Sequence, residues 1–170
     1  MQQTELIAQA QRDDGSEPVI DLISAYEWGI DELRHVVSGM TPEQVLLRPV
    51  AGKWSTLEVI CHIADSEQYF ADRMKRTMAM NHPLLIGVDG ALYLESLRYQ
   101  DHRLEEELEL IAVTRRQVAR TLKLVNDDAW RRTAVHSETG LVTLRQLLLH
   151  AIHHLRHHLR FITEKRSMME

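Results

Sequence analysis

Three tetrapeptides in this 170-residue chain match the Ser/Thr-x-x-Glu/Gln pattern of a capping box, which marks the start of an α-helix. They are Thr41–Gln44, Ser55–Glu58 and Thr143–Gln146. Pro49 and Gly52 soon interrupt the first segment, so it predicts only a short helix, whereas the other two precede long stretches free of glycine and proline. Seven Gly and four Pro in the whole chain are too few for the many tight turns of a sandwich or barrel. The pattern therefore favours long helices.

Two further helical stretches follow from the spacing of apolar residues. One begins at Pro18 and is expected to stop at Gly39, and the other covers roughly 92–125 with an expected break at 99–102. Residues 129–142 are interpreted as a connection, and no run alternates over enough residues to predict a strand. Four long helices joined by moderate connections predict an all-α fold, a four-helix bundle.

The expected domain organisation is simple. Residues 1–17 are polar and end in a short Asp-Asp-Gly-Ser run, so we expect a flexible lead-in there. Residues 18–166 are expected to form a single domain, because their length suits one hydrophobic core.

Charge, hydropathy and cysteine content disfavour several classes of protein, namely nucleic-acid-binding, membrane-spanning and disulfide-bonded secreted ones. The chain has 20 Lys and Arg residues against 25 Asp and Glu, a formal net charge of −5, which disfavours a nucleic-acid partner. No apolar run approaches the ~18 residues of a membrane helix, and no secretory signal is recognisable at the N-terminus. Cys61 alone cannot form an internal disulfide, and we interpret it as a small core residue. These features predict a cytoplasmic protein with no membrane partner.

Histidines are concentrated near the C-terminus. Five of the ten lie within nine positions: His150, His153, His154, His157 and His158. At ~100° per residue, His158 falls within the apolar arc of this helix and His154 on its border, while His153 and His157 point to the opposite side and are interpreted as solvent-facing. Imidazoles at i and i+4 can chelate one divalent ion. The alternative is a pair of core histidines whose partners are carboxylates or carbonyls.

A zinc-like ion needs at least three protein ligands, so a third must come from elsewhere. Candidates on the preceding long helix are His62, Asp65 and Glu67, and the isolated candidates are His35, His102 and His136. On a helical wheel Glu67 lies near the centre of the apolar face, whereas His62 lies almost opposite. Because an acid on an apolar face is costly unless it is paired or coordinated, the angular argument favours Glu67 over His62.

Two segments resemble a known family. The segment from Lys53 to Glu67 resembles the W-S-x-x-E-x-x-x-H-[LI]-x-D-x-E signature of the DinB/YfiT-like superfamily, and the segment from Thr143 to Leu159 resembles its last helix with an H-x-x-x-H pair. The similarity extends over roughly 18–165. It implies an up–down–down–up four-helix bundle, often dimeric, that holds a divalent metal between its second and fourth helices.

The resemblance also implies roles for particular residues. The three histidine ligands of the family fall on His62, His154 and His158, so His62 becomes the predicted third ligand. Glu67 then becomes an acid that either supports a metal ligand from behind or lies on the substrate side, and it is the predicted catalytic residue. Asp65 is expected to orient a neighbour or end a salt bridge. Phe161 stands where related proteins often carry glutamine, a departure that bears on the surroundings of the metal and on the substrate.

Three imidazoles leave open positions on an ion, which can lower the pKa of a bound water or bind a thiolate. The resemblance implies both low-molecular-weight thiol-dependent transferases or isomerases and metal-dependent hydrolases. We therefore expect a divalent ion (Zn or Ni, with Fe or Mn as alternatives), a low-molecular-weight thiol or other small-molecule substrate, and a homodimer. The alternatives are a non-catalytic stress-response or binding protein with a structural metal, and a metal-free, pH-responsive histidine interface.

Overall fold

A computed structural model describes residues 3–169 of the chain, and most of them are helical. In chain order the helices are α1 (Gln3–Gln11), α2 (Val19–Val37), α3 (Pro42–Leu46), α4 (Thr56–Ala79), α5 (Gly90–Ser96), α6 (Leu104–Leu122) and α7 (Leu144–Ser167). Short 3-10 helices cover Tyr99–Asp101 and Asp127–Arg131, and the strands are β1 (Leu84–Leu85), β2 (Thr133–His136) and β3 (Gly140–Thr143). None of the helices in the described residues combines the length and the apolarity needed to cross a membrane.

All three capping boxes begin helices, as predicted. Thr41, Ser55 and Thr143 each accept a hydrogen bond from the backbone N–H three residues on, and the side chain at that position accepts one in return. These reciprocal bonds satisfy backbone donors that a helix start otherwise leaves unpaired. The starts of α4 and α7, the two helices that carry the candidate ligands, are therefore set by local sequence.

The four long helices form an up–down–down–up bundle. α2 packs against α6 and α7, and α4 packs against the same two helices, so α2 and α4 lie diagonally opposite each other. Arg166, near the end of α7, donates to the carbonyl of Val36 at the end of α2, so these two helices run in the same direction. Lys75 and Gln117 are bonded at 2.6 Å in the second halves of α4 and α6, which also run parallel to each other.

The hydrophobic core has two parts stacked along the bundle. One contains Tyr26 and Phe70, and the other contains Leu33 and Ile63. Between them in sequence, both α4 and α6 carry a buried charged residue, Glu67 and Arg115. The middle of the bundle is therefore polar.

The N-terminal segment differs from the prediction. In place of an irregular lead-in, the structure contains α1, which packs against α7 with Leu6 and Ala10 buried. Arg145 at the start of α7 forms an ion pair with Asp13 just after α1. This helix covers the face of α7 that points away from the bundle interior.

The connections also contain more regular structure than the sequence predicted. The stretch 92–125 is divided into α5, a 3-10 helix and α6, so the break expected at 99–102 is present. Residues 129–142, expected to be a plain connection, contain β2 and most of β3. β1 pairs parallel to β2, and β2 pairs antiparallel to β3. Strands of two to four residues are too short for alternation to reveal them.

Candidate metal centre

Three histidines from two helices converge between α4 and α7. His62 lies on α4, and His154 and His158 lie one turn apart on α7. The Nε2 atom of His154 is 3.1 Å from Nε2 of His62 and 3.3 Å from Nε2 of His158. One ring nitrogen of each lies within 4.8 Å of the others. The structure thus brings together the three residues predicted as ligands.

The direction of His62 explains why the helical wheel disfavoured it. α4 packs against both α6 and α7, so it has two buried faces rather than one. Glu67 points toward α2 and α6, where it contacts Tyr26 and Arg115, whereas His62 points toward α7. A single apolar stripe describes only the first of these faces.

Burial keeps all three imidazoles neutral at pH 7. It lowers the pKa of His62 to about 4. For His154 and His158 burial is again the main cause, aided by the neighbouring histidines, and the pKa of each is well below its usual value. Neutral imidazoles offer lone pairs, which is the form that binds a metal.

The donor set fits one divalent ion. Tetrahedral Zn–N bonds of about 2.0–2.1 Å place ligand nitrogens roughly 3.3 Å apart, close to the 3.1 and 3.3 Å separations observed. The Nε2 atom of His154 faces two other ring nitrogens, and among the described residues the hydrogen-bond contacts of these three Nε2 atoms are only with one another. The arrangement leaves nitrogen lone pairs unused, as a ligand set requires.

The other histidines of α7 are more buried than predicted. His150 and His157 are buried and His153 is partly buried, although His153 and His157 were expected to face solvent. The reason is α1, which packs over this side of α7. The ring of His157 lies against those of His158 and Phe161, with centroids 5.2 and 4.7 Å away.

A cavity of about 450 Å³ lies beside His158. Its walls include Trp54, His157, Phe161 and Lys165. The indole of Trp54 meets the ring of His62 edge-on at 5.2 Å between centroids, so it borders both the cavity and the histidine cluster. A small molecule in the cavity would therefore lie next to the histidine cluster.

Glu67, the predicted catalytic residue, lies elsewhere. It is fully buried, accepts a hydrogen bond from the Tyr26 hydroxyl at 2.8 Å on one carboxylate oxygen, and forms an ion pair with Arg115 through the other. No described residue of the histidine cluster is among these partners. Both oxygens are therefore engaged with Tyr26 and Arg115, and a catalytic role for Glu67 stays a prediction.

Sequence analysis overlooked Arg115. Its position continues the apolar stripe of α6 formed by Leu108, Ile111, Ala112 and Val118, which is the signal that could have identified it. Asp65 accepts a hydrogen bond from the Tyr99 hydroxyl, in keeping with an orienting role.

A second group of potential ligands, Cys61, His102 and Glu107, is already engaged. Both ring nitrogens of His102 face acceptors, Glu107 at 2.8 Å and the carbonyl of Leu97 at 3.1 Å. Burial raises the pKa of the Cys61 thiol to about 12, so it stays protonated. This group therefore offers little to a metal, and His136 lies in β2, apart from the cluster.

Comparison with known proteins places the chain in a family. A family model described as the DinB superfamily matches residues 25–162. The chain belongs to the DinB superfamily. A protein of Oceanobacillus iheyensis, provisionally named a metal-dependent hydrolase, is 26% identical over 131 residues, which cover 77% of this chain and 76% of the relative.

A solved structure confirms the predicted fold. YfiT from Bacillus subtilis, described as a probable metal-dependent hydrolase with an unusual four-helix bundle topology, superimposes with a TM-score of 0.82. The two chains are 24% identical, and the match covers 88% of this chain and 86% of that one. The predicted DinB/YfiT-like family and four-helix bundle are both confirmed.

Proposed function

We propose that this protein is a metal-dependent hydrolase in which His62, His154 and His158 hold one divalent ion. The observation that carries the proposal is the convergence of three neutral imidazole nitrogens beside a cavity of about 450 Å³. The names of its relatives, a metal-dependent hydrolase in each case, support the same class of chemistry.

An ion held by three neutral ligands acts as a Lewis acid that lowers the pKa of a bound water. The residues of this chain set the conditions for that chemistry. Burial excludes water from His154 and keeps its ring neutral. The aromatic walls of the cavity, Trp54 and Phe161, provide an apolar surface next to the ligands. Zinc or nickel suits an imidazole set, and iron or manganese are the alternatives.

A thiol-dependent transferase is the second candidate. The observation in its favour is that Glu67 is tied to Arg115, and the histidine grouping contains no carboxylate among the described residues. A thiol loses its proton more readily than water does, so an ion held by the three histidines would activate a thiol with less help from a protein base. The cavity beside His158 argues against a purely structural metal, because it leaves room for a small molecule at the site.

Metal content tests the ligand assignment. We expect about one divalent ion per chain in protein purified without a histidine tag, as measured by elemental mass spectrometry, because three ligands hold a single ion. His62→Ala and His154→Ala should both lose it. His35→Ala, which changes an exposed histidine, is the matched control and should retain it. Full metal content in His154→Ala would overturn the assignment.

Activity distinguishes the candidate reactions. The metal-loaded protein would be assayed with activated esters and amides, first alone and then with low-molecular-weight thiols. Hydrolysis without thiol supports the hydrolase, whereas product formation that requires a thiol supports the transferase. A tightly held ion with neither activity favours a structural metal.

A further inference from the structure

A buried lysine lies at the far end of the cavity from the histidines. Lys165 is two helical turns beyond His158 on the same side of α7, and its side chain lines the cavity although only 6% of the residue is exposed. Its ammonium makes a single hydrogen bond to a described residue, the carbonyl of Ser55, at a long 3.4 Å. That carbonyl already accepts the N–H of Val59 at 3.1 Å.

The charge of Lys165 has no paired anion in the part of the chain that the structure describes. Within residues 3–169, no carboxylate forms an ion pair with it. Glu58 is the acid that influences it, but the carboxylate of Glu58 is bonded to Arg48 and to the N–H of Ser55. Burial lowers the pKa of Lys165 to about 8, since desolvation outweighs the attraction to Glu58. A buried ammonium with one weak hydrogen bond is costly unless something else complements it.

The rest of the cavity is suited to an apolar group. Trp54, Val59 and Phe161 form its walls, and its other charged residues, Lys53 and Glu164, are exposed. The interior therefore combines one buried positive charge with aromatic and aliphatic surfaces.

We propose that Lys165 anchors the carboxylate of a small ligand whose apolar body fills this cavity and whose opposite end reaches the histidine site. The part of the proposal that concerns the opposite end rests on the proposed function. Seven residues separate Lys165 from His158, as they do Ser55 from His62, so about 10 Å separates the anchored group from the reacting group along the bundle. The substrate class is a monocarboxylic acid with an apolar, preferably aromatic, body.

A carboxylate fits better than a phosphate. Among the described residues that line the cavity, Lys165 is the one buried cation, Lys53 is exposed, and none is an arginine, so the interior cannot form the bidentate contacts typical of phosphate sites. The single buried cation therefore favours a singly charged group.

Calorimetric binding of 4-phenylbutanoate and 4-phenylbutanamide to the metal-loaded protein tests the anchor. The two probes share an apolar body and differ in charge. We expect the acid to bind about tenfold more tightly than the amide, because a charged hydrogen bond replaces a neutral one. Lys165→Met should abolish this preference, Lys165→Arg should keep much of it, and Lys75→Met, which changes an exposed lysine outside the cavity, should leave it unchanged. Equal binding of both probes to the native protein would overturn the proposal.

The variant His154→Ala separates this proposal from the proposed function. If Lys165 holds the carboxylate, the preference for the acid persists in His154→Ala even after the metal is lost. A preference that survives in Lys165→Met and disappears in His154→Ala would show that the ion binds the carboxylate, which would overturn the proposal. Lack of metal in the native protein would instead refute the proposed function and leave the anchor standing.

Discussion

Two buried polar clusters lie close together in this bundle and differ in how completely their groups are paired. In the first, Tyr26, Glu67 and Arg115, a negative and a positive charge neutralise each other. In the second, His62 and its two partners on α7, three groups of the same kind face one another with no opposite charge. The difference separates a cluster that holds the fold together from one that is suited to a ligand.

The paired cluster connects all four long helices. Arg115 on α6 forms an ion pair with Glu67 on α4, donates to the carbonyl of Tyr26 on α2 at 2.7 Å, and lies within 3.5 Å of the carbonyl of Ala151 on α7. Its guanidinium also lies over the Tyr26 ring, 4.5 Å from the centroid. The two opposite charges of this cluster therefore neutralise each other without any further molecule, although Nε of Arg115 has no hydrogen-bond partner among the described residues.

The histidine cluster has no such opposite charges among the described residues. Its members avoid mutual repulsion because burial keeps them neutral, and the hydrogen-bond contacts of their facing Nε2 atoms are only with one another. Buried polar groups normally find partners. The histidine cluster therefore indicates a bound ligand such as a metal ion, whereas the charges of the paired cluster already neutralise each other.

The largest effect on stability is expected from breaking the ion pair. Arg115→Met leaves Glu67 buried without a counter-charge, and we expect a loss of about 3–5 kcal/mol in the free energy of unfolding. Urea denaturation measures it, with metal content per folded chain expected to be unchanged. The double variant Arg115→Met/Glu67→Gln removes the stranded charge and should recover part of the loss. A loss well below this range in the single variant would show that the ion pair does not stabilise the fold as proposed.

Acid should destabilise the histidine side of the molecule in the metal-free protein. His150 packs against Phe70, and burial lowers its pKa to about 3. Because the unfolded chain binds protons near pH 6.5 and the folded one does not, stability is full above that pH and is lost as pH falls toward 3. For His150 the loss amounts to roughly 2 kcal/mol at pH 5.

Urea denaturation at pH 7 and pH 5 checks this expectation. His150→Phe removes one titrating group, so it should show a smaller loss between the two pH values than the native protein. His35→Ala changes an exposed histidine and should match the native protein. An equal loss in His150→Phe would contradict the assigned pKa.

Local rules predicted the parts of the molecule that depend on near neighbours in sequence. The capping boxes at Ser55 and Thr143 determine helix starts through bonds spanning three residues. The pairing of His154 with His158 follows from helical periodicity alone. The bundle follows from long helices with apolar faces, which have few other ways to bury them.

The remaining features depend on which helices meet. The helical wheel could not show that His62 faces α7, because α4 has two buried faces and only their order in the bundle distinguishes them. The burial of His157 depends on α1, whose short apolar pattern at Leu6 and Ala10 was too weak to predict a packed helix. The partner of Glu67 was missed because only the packing of α6 against α4 shows that Arg115, unlike its exposed neighbour Arg116, faces this carboxylate.

Two glycines allow the smallest substitutions that distinguish the clusters, because Gly29 lies against Arg115 and Gly90 lies against His62. A Cβ on Gly29 would lie 2.3 Å from Nη1 of Arg115, and one on Gly90 would lie 2.7 Å from the ring of His62. In Gly29→Ala, overpacking of about 1–3 kcal/mol outweighs the ~1 kcal/mol gain in helix propensity, so we expect a net loss near 1 kcal/mol in urea denaturation and unchanged metal affinity. Gly90→Ala lies at the start of α5, a helix with no buried residues, so it should instead weaken metal binding, measured by competition with a chelator, with little change in stability. Weaker metal binding in Gly29→Ala, together with lower stability in Gly90→Ala, would contradict the assignment of one cluster to structure and the other to ligand binding.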